Sequence, residues 1–92
     1  MHLALAEFCR GRLDAAIEQL KRAVYSGYPS YTTYAVLAGA EAAKGNGAEA
    51  KLALAEARHL FPQLTIKWIL TETVPPPSIV IDGLRKAGLP EE

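Results

Sequence analysis

Residues 34–62 read YAVLAGAEAAKGNGAEAKLALAEARHLFP. Apolar and small side chains recur at helical spacing on both sides of Gly45-Asn46-Gly47. That spacing predicts two short helices, folded back on each other by a tight turn and closed by Pro62. Moving the chain by 34 residues brings the pattern back. Leu3 falls on Leu37, Ala4 on Ala38, Ala6 on Ala40 and Glu7 on Glu41. Gly11 then falls on Gly45, Ala16 on Ala50, Leu20 on Leu54 and Ala23 on Ala57. A recurring helix–turn–helix unit cannot bury its apolar face alone, so it stacks on its neighbours.

The 34-residue period resembles the tetratricopeptide repeat family. In the second unit Tyr34 stands at the family's first large aromatic, and Leu37 and Ala38 at the leucine and small residue that follow. Ala50, Leu54, Ala57 and Pro62 match the second helix and the closing proline. Glu41 departs from the pattern, which has an aromatic there, and Pro29 closes the first unit one residue late. The resemblance spans residues 1–62 and implies an all-α fold of tetratricopeptide-like antiparallel hairpins, an α–α superhelix. It says nothing of chemistry, because function lives in sites placed on a fold.

Working outward, helices are expected near residues 2–10, 13–26, 31–44, 47–60, 64–72 and 78–87. Glycines 11, 27, 45 and 88 serve as stops. Ser30 is the expected N-cap of the third helix. Asn46 with Glu49 three residues on is the expected capping box of the fourth. The inward residues are expected to be Leu13, Ala16, Ile17, Leu20, Ala23 and Val24, then Ala50, Ala53, Leu54, Ala57 and Leu60. Residues 63–92 form C-terminal capping helices broken at Pro75-Pro76-Pro77. Leu64, Trp68 and Ile69 are to cover the open end of the second unit, and Ile79, Val80, Gly83, Leu84 and Ala87 are to face inward. All of this fits one compact domain. Residues 1–10 start with the apolar register already running and no cap before Met1, so an upstream continuation is expected.

The tail DGLRKAGLPEE, from Asp82, follows a proline break and a short helix. It resembles the repeat-bearing C-termini of bacterial adenylate and guanylate cyclases and related regulators. That resemblance implies a regulatory region behind a catalytic or DNA-binding domain. It transfers no catalytic residue.

Ten Lys and Arg balance ten Asp and Glu. Zero net charge leaves no global footprint for nucleic acid or an acidic membrane. No apolar run reaches the roughly 20 residues of a membrane span. One cysteine, Cys9, excludes an internal disulfide, and with no export signal a cytoplasmic setting is expected. Cys9 has only its neighbour Arg10 as a cationic partner and reads as a small hydrophobe. His2 and His59 lack Cys, Asp or Glu at ligand spacing, so no metal or cofactor is expected. Gly45-Asn46-Gly47 lacks the strand and the lysine of a phosphate loop. Tyr25, Tyr28, Tyr31 and Tyr34 have too few basic neighbours for a base-stacking platform, and are expected to pack where the units join.

No pair of residues suits acid–base catalysis, so no catalytic residue is assigned. The first helix of each unit lines the concave face in tetratricopeptide arrays. By that resemblance the interaction surface is Leu5, Phe8 and Cys9 with Ala35, Gly39, Ala42 and Ala43. It is apolar and shallow, and it lacks the polar residues with which some members clamp a C-terminal carboxylate. An apolar helix suits it: the chain's own tail, an upstream helix or a second copy. The expected function is protein–protein interaction, with a protein or peptide partner and a possible homodimer through Phe8 and the concave face. The alternatives are a purely structural dimerisation element, a small enzyme or a nucleic-acid binder.

Overall fold

A computed structural model describes residues 8, 10–26, 30–72 and 78–92. Those residues form helices and turns, with no strand among them. In chain order the helices are α1 (Leu13–Tyr25), α2 (Tyr31–Lys44), α3 (Gly47–Leu60), α4 (Ile66–Glu72) and α5 (Ser78–Ala87). Phe8 belongs to an earlier helical segment, and the rest of the helix expected over residues 2–10 lies outside the described residues.

The core is organised around α2. Helices α1, α3 and α5 all pack on it, α5 more broadly than α1. A helix packed on several sides must be largely small and apolar, and residues 35–40 of α2 are, with every residue from Ala35 to Glu41 buried. Alanines set the spacing. Ala16, Ala38, Ala40, Ala50 and Ala57 are fully buried, which lets neighbouring backbones approach closely.

Local signals place the helix ends. The Ser30 hydroxyl accepts the Thr33 N–H at 3.3 Å, satisfying one of the unpaired donors at the start of α2. Helix α2 stops at Gly45, whose φ of +97° suits a residue without Cβ. There Gly45 N–H donates to Ala42 and Asn46 N–H to Glu41. The same paired closure ends α5, where Gly88 N–H donates to Arg85 and Leu89 N–H to Leu84.

Several expectations need correction. Asn46 makes no side-chain cap on α3. Its amide donates instead to Glu41 Oε2 at 2.9 Å, so the capping box with Glu49 does not form. The reason is that a helix stop of this kind brings positions 41 and 46 together, and a buried carboxylate there needs a donor. Leu60 is half exposed, and Phe61 beyond the helix end packs on the core instead. Ile79 lies toward solvent while Ile81 is buried, a one-position turn of the α5 face. Tyr25 is 85% exposed rather than packed at a joint. Tyr28 lies outside the described residues.

Helix α4 begins at Ile66 rather than at residue 64, because Thr65 caps it and its hydroxyl accepts the Trp68 N–H at 3.0 Å. The next two donors find distant partners. Ile66 N–H reaches the Pro90 carbonyl at 2.9 Å and Lys67 N–H the Glu91 carbonyl at 2.8 Å. Ile69 N–H makes the first bond within the helix, to the Thr65 carbonyl at 3.1 Å, so the Ile66, Lys67 and Trp68 donors at this helix start are all occupied. Leu64 and Ile69 are buried, as expected. Trp68 is half buried in an aromatic cluster, its ring centroid 4.7 Å from Phe61, which stacks on Tyr31 at 4.8 Å.

Candidate interaction groove

The expected concave surface is not open. Phe8 is 0% exposed, and Ala35 and Gly39 are buried. Ala42 and Ala43 are half buried against the core. Leu5 and Cys9 lie outside the described residues. Helix α5 occupies this face of α2, its backbone at Val80 and Leu84 passing beside Gly39, and the Phe8 ring lies against Gly39 as well. The occupant is the chain's own tail, one of the three that the sequence leaves open. In this arrangement Phe8, Ala35 and Gly39 offer no surface to a second copy.

The surface that stays open lies on another side of α2. Helices α1 and α3 both rest on α2, and a groove between them holds a cavity of about 180 Å³. Lys21, Val24 and Tyr25 of α1 form one wall. Glu49, Leu52, Ala53 and Glu56 of α3 form the other, a stripe set by the three- and four-residue helical spacing. Tyr34, Leu37 and Glu41 of α2 lie between them. Tyr25 and Leu52, two of the most exposed large apolar side chains, are both here, Leu52 at 64%. The sequence does not mark this groove, because its lining comes from three helices and no single helix face shows it.

Glu41 is the unusual member. It is only 2% exposed, yet it carries a carboxylate. Asn46 Nδ2 engages its Oε2, and no donor among the described residues reaches Oε1. Among the described residues three carboxylates, those of Glu41, Glu49 and Glu56, line the cavity against the single ammonium of Lys21. The groove is therefore acidic in a chain whose charges balance overall.

Elsewhere the charges are spread over the surface. Asp14 pairs with Lys44, joining α1 to the end of α2. This hydrogen bond, with the Coulombic attraction behind it, raises the Lys44 ammonium above the ordinary lysine value. Arg85 binds the Glu91 carboxylate at 3.0 Å and is likewise raised by that hydrogen bond first. Among the described residues no group of three His, Cys, Asp or Glu is placed to hold a metal ion. None of their helices is long and apolar enough to cross a membrane. His59 sits exposed in the last turn of α3. No family model, curated protein or solved structure matches the chain.

Proposed function

We propose that this chain is a protein-interaction module, a tetratricopeptide-like hairpin array that receives a helix of a partner protein between α1 and α3. The observation that carries the reading is the groove itself, with Tyr25 and Leu52 exposed beside the apolar Leu37 and Ala53. Two helical walls with a third helix between them form a groove in which a partner helix lays its apolar face. The 34-residue repeat supports the same reading, since stacked helical hairpins build extended binding surfaces. The likeness of residues 82–91 to cyclase tails supports a regulatory setting, as the interaction region of a larger cytoplasmic protein.

The test is selection of displayed helical peptides on the intact chain, with mapping of enriched sequences by amide chemical shifts. Shifts gathered at Val24, Leu37, Leu52 and Ala53, and lost in Leu52→Asp, are expected. Enriched peptides that shift only residues outside the groove would overturn the reading. A chain that is dimeric when free, and whose dimer buries Leu52, would favour a structural dimerisation element instead.

A further inference from the structure

Resting on that reading, we propose that the groove is specific for a partner helix that inserts an arginine between Glu49 and Glu56 toward Glu41.

Size is the first argument. A cavity of about 180 Å³ is below the roughly 300–1,000 Å³ of pockets that enclose small-molecule ligands. It has room for one long side chain. The second argument is the chemistry of the lining. Val24, Leu37, Leu52 and Ala53 supply apolar wall, and three carboxylates stand against one ammonium. A side chain that matches needs an apolar stem and a cationic head. Arginine and lysine both have that form.

Arginine is favoured by the acceptor geometry. The guanidinium is planar, carries five donors and is less strongly hydrated than an ammonium, so it enters a half-buried site at lower cost. Glu41 is 2% exposed and has one oxygen already held by Asn46. Its Oε1 has no donor among the described residues, and a fork of N–H groups supplies one while still reaching a rim carboxylate. Tyr25, 85% exposed on the α1 wall, adds a ring face on which a guanidinium stacks.

Charge complementarity thus commits the site to one occupant, a basic amphipathic helix. An acidic or purely apolar helix leaves the carboxylates facing either like charge or no partner.

The test uses three synthetic helix-forming peptides with the same leucine and alanine face. One carries a single arginine at the centre of that face, the second citrulline and the third glutamate. Citrulline has nearly the same shape and no charge. Each is titrated into the isotope-labelled chain at low salt. The arginine peptide is expected to bind roughly tenfold or more tightly than its citrulline twin, the factor of one charge-assisted hydrogen bond. Its shifts should centre on Leu37, Leu52 and Ala53. The preference should shrink in Glu49→Gln/Glu56→Gln, whose two side chains are exposed and whose fold is not at risk, and again in Glu41→Gln, which keeps an oxygen for Asn46. Equal affinity of the arginine and citrulline peptides, with shifts in the groove, would overturn the arginine inference while leaving the docking reading intact. Absence of groove shifts with all three peptides would overturn both.

Discussion

Gly83 of α5 lies directly against the backbone of Gly39 in α2. A Cβ placed at Gly83 would stand 2.5 Å from the Gly39 carbonyl oxygen and 3.0 Å from its Cα. Real side-chain atoms do not come that close, and the obstacle is main chain on a central helix. The tail helix can therefore seat itself on α2 only because Gly83 has no side chain at the crossing; a Cβ at Gly39 would meet nothing nearer than the Val80 carbonyl oxygen at 3.4 Å, an ordinary contact.

Gly83→Ala is accordingly expected to destabilise the chain by roughly 1–3 kcal/mol, as overpacking does. The sign is the informative part. In an open helix the same change gains about 1 kcal/mol from helix propensity. Gly47→Ala is the control: its Cβ meets nothing within 4 Å, and it should stabilise slightly. Urea denaturation of both variants decides. A Gly83→Ala chain as stable as wild type would mean that α5 does not sit on Gly39.

The Glu41–Asn46 pair joins a buried carboxylate to the turn behind it. Asn46→Ala should cost about 1.5–3 kcal/mol, the range for hydrogen bonds to a charged group. Replacing both partners, Glu41→Leu with Asn46→Ala, should recover much of that loss, because no buried acceptor is then left without a donor. A thermal-melt cycle over the four proteins measures the coupling, and strict additivity would mean that the pair contributes nothing.

The last residues complete the start of α4 by donating no side chain at all. Pro90 and Glu91 offer backbone carbonyls to Ile66 and Lys67 N–H. Removing residues 90–92 should cost about 0.5–1.5 kcal/mol for each hydrogen bond lost. Hydrogen exchange should rise first at Ile66 and Lys67. Unchanged protection at both amides would show that the tail does not cap this helix.

Trp68 is the chain's one tryptophan and reports on the aromatic cluster. Phe61→Leu removes the ring between Tyr31 and Trp68, and should cost about 0.5–1.5 kcal/mol for each aromatic pair. Trp68 emission should shift to the red as water gains access. An unshifted spectrum would place Trp68 elsewhere.

The Asp14–Lys44 pair carries a pH dependence of definite sign. The folded ammonium is raised above the ordinary lysine value of 10.5 by its hydrogen bond to Asp14. Its contribution is full below that value and is lost as pH climbs through the raised folded value. Both side chains are exposed, so the effect is small and salt screens it. Lys44→Met should lessen the alkaline fall in melting temperature, and high salt should erase the difference. A fall equally steep in wild type and variant would remove Lys44 from the account.

Helix positions were legible in the sequence because their causes are local. The 34-residue return of Leu20 at Leu54 and Gly11 at Gly45, the Ser30 cap and the glycine stops each act within a turn or two of chain. Even the slips, such as Leu60 taken as inward and Asn46 taken as a cap, are errors of one helical position or one hydrogen-bond partner. Which helix fills which groove was decided only by the tertiary structure. Gly39 and Gly83 lie far apart in sequence, and a backbone-to-backbone contact leaves no periodic mark on either. The carbonyls of Pro90 and Glu91 are acceptors that every residue type possesses, so nothing in their identity announces that they cap α4. The groove of Tyr25, Leu52 and Glu41 draws one member from each of three helices, and no single helix face shows it. Local preference sets where the helices are; the fit of whole helices against α2 sets which surface is buried and which stays open.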